Sequence, residues 1–226
     1  MAMKKNNAPL KRLLLKTLIF ILLSLSIGCG EETPDRQACA IGTATGYLTS
    51  KDQCQILRWP AEQLPILISQ EAGTPADVAT AITTAALYWE GITGMRLFNI
   101  QTAQPVVLES ETDLRFNIFG IRSPLVWTLS PINGKLEEPA KTVYYYNSQG
   151  LYRTNIYFNE DFTSGDRGDY DLFTIALHEL GHVLGLDHDD SIEFGKSIMF
   201  SQINPEEERR PTARDIQRIR ELYQSR

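Results

Sequence analysis

The sequence predicts a single α+β domain built from a sheet, a first helix and two later helices. Strand-like and helix-like segments follow one another in the order strand, helix, several strands, helix, helix, which is typical of an α+β fold. The length of 226 residues suits one medium domain or at most two small ones. Hydrophobic residues make up 42% and charged residues 22% of the chain, which is ordinary for a folded protein.

The first predicted elements are a buried strand and a helix. The apolar run Leu64–Ile68 predicts the strand. Thr74 and Pro75 predict the start of the helix, with Thr74 as N-cap, and Gly91 and Gly94 predict its end. Four residues at helical spacing are predicted to face the core: Val78, Ile82, Ala85 and Trp89.

Strand-like segments fill the middle of the chain: Arg96–Ile100, Val106–Leu108, Asp113–Ile118, Leu125–Leu129, Thr142–Tyr146 and Leu151–Phe158. A turn at Asn147–Gly150 predicts that the last two form a hairpin. Leu172–Leu184 is apolar and compatible with a helix. Pro211–Tyr223 predicts a final helix, because Thr212 and Asp215 are spaced like a capping box.

The distribution of charge separates the N-terminus from the rest of the chain. The first 28 residues contain five basic side chains and no acidic one. The remaining residues contain 17 basic and 28 acidic side chains, a formal charge of −11. A nucleic-acid-binding protein needs Lys and Arg to meet phosphates, so this excess of acidic side chains argues against nucleic acid as a partner.

We expect the protein to be a monomer.

The N-terminus is predicted to be a targeting segment. A basic stretch, residues 1–16, precedes 11 mostly apolar residues, too few for a membrane-spanning helix and typical of a signal-peptide core. The sequence Leu-Ser-Ile-Gly-Cys at 25–29 resembles the bacterial lipoprotein signal, although Ser26 stands where that signal usually has Leu. The resemblance implies a signal peptide over residues 1–28 and a lipid on Cys29. The mature protein would then be anchored to a bacterial membrane, outside the cytoplasm. A plain secretory signal, which would release the protein, or an N-terminal anchor is the alternative.

Cys39 and Cys54 remain once Cys29 is assigned to lipid. An even pair in an oxidising compartment favours a disulfide between them. The alternative is that one of the two is an inhibitory thiolate ligand on a metal. Residues 29–57 are predicted to be a tether, since Glu31–Thr49 is rich in Gly, Thr, Ala and acidic residues and lacks periodicity.

The three histidines of the chain all lie in the segment HELGHVLGLDH, residues 178–188. His178 and His182 are four residues apart, so a helix places them on one face, one turn from each other. Two imidazoles so placed can bind one metal ion at about 2.0–2.1 Å. A helix cannot deliver a third ligand six residues further on. We therefore predict that Gly185 takes a left-handed conformation, ends the helix and returns His188 to the metal.

Three nitrogen ligands leave a fourth position for water, which is the arrangement of a catalytic zinc rather than a structural one. Glu179 lies beside His178 and is expected to point toward that position. Zinc lowers the pKa of bound water to about 7. Glu179 can then accept the proton as water attacks a carbonyl, and pass it to the leaving amine. The segment predicts a zinc-dependent hydrolase.

This motif, HExxHxxGxxH, resembles the zinc signature of the metzincin metallopeptidases. The stretch Ser197–Phe200 is similar to the family's Met-containing turn, which implies Met199 as the base of the site. Within the metzincins, residues 58–226 resemble a matrixin catalytic domain, with Tyr88-Trp89-Glu90 similar to the end of its first helix. The resemblance implies a zincin-like fold with a twisted mixed sheet, one catalytic zinc ion and cleavage of a protein or peptide substrate within its chain.

One departure from the matrixin pattern and one acidic group bear on the site and on metals. Asp189 follows the third His, where matrixins usually have Ser or Thr, and is more like the adamalysins. An acidic group precedes the zinc helix and can bind calcium: Asp161, Asp166, Asp169 and Asp171. Its spacing matches no standard calcium loop, so a solvated loop with Asp171 capping the helix is favoured.

The resemblance implies that the substrate binds as an extended strand along a sheet edge. The candidate edges are Leu125–Leu129 and Thr142–Tyr146. The resemblance also implies an apolar pocket near Met199–Pro205 for the residue after the cleaved bond. Two other functions stay open. One is a non-catalytic zinc-binding surface lipoprotein, against which the intact Glu179 argues; the other is a hydrolase of a non-protein amide such as cell-wall peptide.

Overall fold

A five-stranded mixed sheet forms the centre of the fold. The computed structural model describes residues 46–51, 54–108, 115, 117–129, 134–163, 170–190 and 197–224. The strands are β1 (Ile66–Glu71), β2 (Phe98–Val106), β3 (Ile118–Arg122), β4 (Ala140–Asn147) and β5 (Gly150–Asn159). Their order in the sheet is β2-β1-β3-β5-β4. All neighbours are parallel except β4, which pairs antiparallel with β5 and forms one edge of the sheet.

Helices pack on both faces of this sheet. They are α1 (Ala76–Thr93), α2 (Pro124–Leu129), α3 (Glu160–Thr163), α4 (Leu172–Val183) and α5 (Ala213–Tyr223), with a short 3-10 turn at Ala61–Gln63. Helices α1 and α4 pack against each other, α4 also packs on β4, and α5 packs on α1. Their apolar faces and the sheet enclose the main core. The predicted α+β class, with a first helix, a histidine-bearing helix and a C-terminal helix, is confirmed.

The core face of α1 is as predicted, whereas its two ends differ. Val78, Ile82, Ala85 and Trp89 are all buried. The helix begins after Pro75 rather than after Thr74, because the Thr74 hydroxyl donates to the carbonyl of Glu71 at 2.7 Å and closes the turn after β1. Gly91 lies inside the helix, and Gly94 alone ends it, with a φ of 74°.

The strands also shift relative to their predicted bounds. β1 begins at Ile66, two residues later than predicted, and the two predicted runs around 96–108 are one continuous strand, β2. β2 occupies a sheet edge and is mostly exposed, which explains why its sequence lacks a buried face. β3 begins at Ile118, where the run predicted from Asp113 ends; apart from residues 115 and 117, the rest of that run lies outside the described residues.

The prediction of a strand at Leu125–Leu129 is wrong, because this segment is helix α2. Leu125 and Leu129 lie four residues apart on its exposed side, while Trp127 is fully buried. The Trp127 indole donates to the carbonyl of Lys135 at 2.7 Å. Pro124 at the first helical position favours the helix. Of the two candidate substrate edges, β4 is therefore the one that is a strand.

The hairpin and the final helix agree with their predictions. β4 and β5 pair from Ala140–Phe158 to Asn147–Gly150, so the turn lies where it was expected. Thr212 caps α5, and its side chain and that of Asp215 form a complete capping box. The turn and the cap each depend on a few neighbouring residues, which is why the sequence alone could predict them.

Residues 46–51 and 54–57, which we call the N-terminal strap, pack onto the domain. Tyr47, Leu48 and Leu57 are buried in the main core. The Leu48 amide donates to the carbonyl of Gly185 at 2.9 Å, and the Asp187 amide donates to the carbonyl of Gly46 at 2.9 Å. This part of the predicted tether is thus hydrogen-bonded to the loop that precedes the third histidine.

Several predictions about the N-terminus lie outside the described residues. The signal peptide, Cys29 and Cys39 belong to this group. Cys54 is disulfide-bonded, with its partner also outside. Among the described residues, no helix combines the length and the apolar character needed to cross a membrane.

Because the strap contributes to the core, Leu48→Ala should destabilise the whole domain. Truncating a buried leucine costs about 2–5 kcal/mol. We expect that loss in the free energy of unfolding, measured by urea denaturation of metal-free protein spanning residues 30–226. Leu87→Ala is the control, since Leu87 is 63% exposed on α1 and should change the free energy by less than about 0.5 kcal/mol. Equal effects of the two substitutions would mean that the strap is not packed in solution.

Candidate metal centre and active site

The three predicted metal ligands converge on one point. The Nε2 atoms of His178, His182 and His188 lie 3.1–3.2 Å from one another. Among the described residues, these three side chains form the group that could hold a metal ion. Three nitrogens bound to one tetrahedral zinc at 2.0–2.1 Å would lie about 3.3–3.4 Å apart. The observed spacing is close to that value.

In two of the imidazoles, a hydrogen bond at Nδ1 determines that Nε2 is the nitrogen available to bind a metal. His178 Nδ1 lies 2.7 Å from the carbonyl oxygen of Ile198, and His182 Nδ1 lies 2.8 Å from that of Leu186. A carbonyl oxygen can only accept, so each Nδ1 carries the proton and each Nε2 presents a lone pair. Lone pairs that converge at this distance are arranged to bind one shared cation. The three imidazoles are therefore a suitable set of ligands for zinc.

A turn at Gly185 brings His188 back to the other two ligands, as predicted. Gly185 has a φ of 95°, a conformation that favours glycine. Its amide donates to the carbonyl of His182 at 2.9 Å, and the Leu186 amide donates to that of Gly181 at 3.0 Å. A Cβ atom at position 185 would lie 2.6 Å from the carbonyl oxygen of Leu57, so the turn has no room for a side chain.

Two tryptophans and one aspartate hold helix α4 in place. Asp171 caps its N-terminus by accepting from the amides of Phe173 and Thr174. The Trp59 indole donates to the carbonyl of Val183 at 2.7 Å, and the Trp89 indole donates to that of Leu177 at 3.0 Å. Both indoles are buried, so the helix that carries two ligands is fixed from two sides.

Glu179 is buried between helix α4 and strand β4. It is 5% exposed, and its Oε2 accepts from the hydroxyl of Thr142 at 2.6 Å. The same hydroxyl lies 3.2 Å from the main-chain carbonyl oxygen of Glu179. The carboxylate of the residue directly after the first ligand, His178, is thus buried, and a hydrogen bond holds one of its two oxygens.

Met199 packs against helix α4 at Gly181, the residue before His182. It is fully buried, and a Cβ atom on residue 181 would lie 2.3 Å from its sulfur. Only glycine at position 181 allows this close packing. The residue before Met199, Ile198, supplies the carbonyl that orients His178.

Residues 58–224 match the matrixin family of peptidases. The match spans most of the chain and includes the three histidines, Glu179 and Met199. The chain belongs to the matrixin family. Matrixins are zinc-dependent metallopeptidases, so the chain carries a zinc metallopeptidase domain. None of the curated proteins gives a match to the chain.

The pKa values of two groups in the matrixin site are shifted by burial. Burial, with smaller effects from the charges of His182 and Arg209, lowers the pKa of His178 to about 3. His178 is therefore neutral near pH 7, as a metal ligand must be. Burial also raises the pKa of Glu179, while His182 and the Thr142 hydrogen bond oppose that rise. A raised carboxyl pKa brings the group closer to the pH at which a proton acceptor works best.

The segment after His188 is tied to α5 by a buried ion pair. Asp189, at 8% exposure, accepts from Arg214 at 3.0 Å and from Arg218, which is 4% exposed. The Asp189 amide donates to the carbonyl of Met199 at 2.9 Å. The aspartate that departs from the usual matrixin residue therefore connects the third ligand, the Met-containing turn and the final helix.

A second link joins α5 to the Met-containing turn. The Ser197 hydroxyl donates to Asp215 at 2.7 Å, and the Met199 amide donates to the Ser197 hydroxyl at 3.0 Å. Asp215 is fully buried and also serves the capping box with Thr212. The sequence indicated the cap but not the contact with Ser197, because the two residues are 18 positions apart.

The predicted acidic group is divided by the structure. Asp171 caps α4, as the sequence favoured, and Asp161 lies in the short helix α3. Asp166 and Asp169 lie outside the described residues. Calcium binding stays a prediction. The sequence did not indicate the roles of Thr142 and Trp59. Their partners, Glu179 and Val183, are 37 and 124 positions away in the sequence, so no local pattern reveals the contacts.

The geometry at Gly185 predicts that Gly185→Ala weakens both folding and zinc binding. A positive φ and a contact with Leu57 should lower the free energy of unfolding by about 1–3 kcal/mol. Displacement of His188 should reduce zinc affinity about tenfold or more, measured by competition with a chelator. Gly91→Ala is the control, because a Cβ there meets nothing within 4 Å. This substitution should raise the free energy of unfolding by about 0.5–1 kcal/mol. Unchanged zinc affinity in Gly185→Ala would contradict a role for this turn.

Proposed function

We propose that the matrixin domain is an endopeptidase that hydrolyses peptide bonds within protein chains, with Glu179 as its proton-transfer residue. One observation carries the proposal. The residue directly after the first of three convergent imidazoles has a buried carboxylate that Thr142 holds by a hydrogen bond. A protein that merely stored zinc would not need this carboxylate. Its burial costs free energy that a pure metal-binding site could avoid.

The residues of the site divide the chemistry among them. The three imidazoles would hold zinc, which supplies polarisation of water and of a substrate carbonyl. Glu179 accepts a proton at its carboxylate when water is activated and then donates it to the leaving amine nitrogen. The carbonyls of Ile198 and Leu186 keep His178 and His182 in the tautomer that binds metal.

Strand β4 is the proposed binding edge for an extended substrate. Within the part of the chain that the structure describes, it is the last strand in the sheet order, and its strand partner is β5. A peptide can add to such an edge through main-chain hydrogen bonds, largely independently of its sequence. Thr142 lies within this strand and contacts Glu179, so a peptide on β4 would pass beside the proton-transfer residue. The segment Met199–Pro205, which begins against helix α4, is the proposed wall of the pocket for the residue after the cleaved bond.

The activity is tested by cleavage of unfolded casein with protein spanning residues 30–226 and one zinc bound. Glu179→Ala should lower kcat/KM by about 10²–10⁴-fold, the contribution of a positioned acid–base group, while zinc stays bound. Glu62→Ala, on the exposed 3-10 turn, is the matched control and should cleave like the wild type.

The other two functions predict different results in the same assay. A non-catalytic zinc-binding lipoprotein would hold zinc without cleaving casein. A hydrolase of cell-wall peptide would cleave that amide and spare casein. Casein cleavage that survives Glu179→Ala would instead contradict the role of Glu179.

We also propose that the protein is a lipoprotein of a bacterial cell envelope, anchored through Cys29 and lying outside the cytoplasm. The support is the signal-like sequence over residues 1–28 followed by a cysteine. Cys29→Ser should move the protein from the membrane fraction of the expressing bacterium into the aqueous fraction. Ser24→Ala, within the apolar core of the signal, is the control and should leave the protein with the membranes. Wild-type protein found mainly in the aqueous fraction would contradict the lipid anchor.

A further inference from the structure

Thr142 faces helix α4 from near the start of the edge strand β4. The next residue, Val143, packs with Ile118 and Trp127 on the opposite face of the sheet. Since side chains alternate along a strand, Thr142 is directed toward helix α4. It is 6% exposed, and its hydroxyl donates to Glu179 Oε2 at 2.6 Å. The contact is a buried, charge-assisted hydrogen bond between the binding edge and the proton-transfer residue.

A threonine is well suited to fix the direction of a carboxylate. Its branched Cβ restricts rotation about χ1, and the strand ladder fixes its backbone. The hydroxyl is therefore a preorganised donor. Glu179 is a longer side chain with more rotatable bonds, and one short bond to Oε2 restricts both its rotamer and the plane of its carboxylate. Valine has nearly the same shape as threonine and would fill the same space without restricting Glu179.

We propose that Thr142 is a positioning residue for Glu179, an inference that rests on the proposed endopeptidase function. By occupying Oε2, the hydroxyl leaves Oε1 as the oxygen that exchanges the proton. Because Thr142 belongs to β4, its hydroxyl also ties Glu179 to the proposed binding edge.

The role predicts a specific pattern of rates in Thr142 variants. Thr142→Val keeps the shape and removes the hydroxyl, so kcat should fall about tenfold or more, since small misplacements of reacting groups have such effects. KM should stay within about twofold, because the loss affects only the transition state. Thr142→Ser keeps the hydroxyl and should retain kcat within about threefold of the wild type.

Thr93→Val is the matched control. Thr93 is equally buried, at 2% exposure, and its hydroxyl donates to the carbonyl of Trp89 in its own helix at 2.7 Å. This substitution also removes a buried threonine hydroxyl, but one that does not contact Glu179. It should leave kcat unchanged even if it lowers stability. Zinc content is measured in every variant, so that loss of metal is not mistaken for loss of positioning.

A second measurement tests the contact without zinc or substrate. Unfolding of metal-free wild type, Thr142→Val, Glu179→Ala and the double variant forms a double-mutant cycle. Thr142→Val changes the unfolding equilibrium constant by some factor in the wild type. That factor should be at least about twofold smaller when Glu179 is already alanine. Additive effects would mean that the hydrogen bond does not exist in solution and would overturn the proposal.

The kinetic outcomes separate this proposal from the function on which it rests. Wild-type protein that cleaves no peptide would overturn the endopeptidase function and the positioning role together. Active wild type with unchanged kcat in Thr142→Val would overturn the positioning role alone. An equal loss of kcat in Thr142→Ser and Thr142→Val, or a change confined to KM, would overturn it as well.

Discussion

Three imidazole nitrogens must meet at one point, and a single helix can supply only two of them. His178 and His182 satisfy the helical part of this constraint by their four-residue spacing. The third nitrogen requires the chain to leave the helix and reverse within six residues, which Gly185 permits through its positive φ. The main-chain carbonyls of Leu186 and Ile198 then orient two of the rings. Much of the surrounding structure serves to hold this reversal in place.

Helix α5 and the strap support the reversal from opposite ends of the sequence. Arg218 on α5 pairs with Asp189, directly after His188. Breaking a buried ion pair of this kind by removing one partner typically costs about 3–5 kcal/mol, because the other charge is left without compensation. The strap adds main-chain hydrogen bonds to Gly185 and Asp187. A position that other matrixins usually fill with Ser or Thr is here an anchor for the C-terminal helix.

The sequence predicted features whose cause lies within a few residues and missed those whose cause lies far along the chain. The Gly185 turn, the hairpin after Asn147 and the cap at Thr212 all follow from local chemistry. Leu125–Leu129 was misassigned because apolar residues at every second position also fit a short helix that buries only Trp127. The contact of Thr142 with Glu179 could not be predicted, since alternation gives the face of a strand but not its partner 37 residues away.

The packing of the strap changes how far the catalytic domain can travel from an anchored N-terminus. A lipid on Cys29 would be separated from Gly46 by 17 residue steps, and from Arg58 by 29. At full extension these spans reach about 60 Å and about 100 Å. Since the strap is fixed to the domain, the free span ends no later than Gly46, and the predicted disulfide between Cys39 and Cys54 would shorten it to 10 residue steps, about 35 Å. It would confine proteolysis to a layer of that depth above the bilayer, so that membrane-proximal proteins would be the accessible substrates.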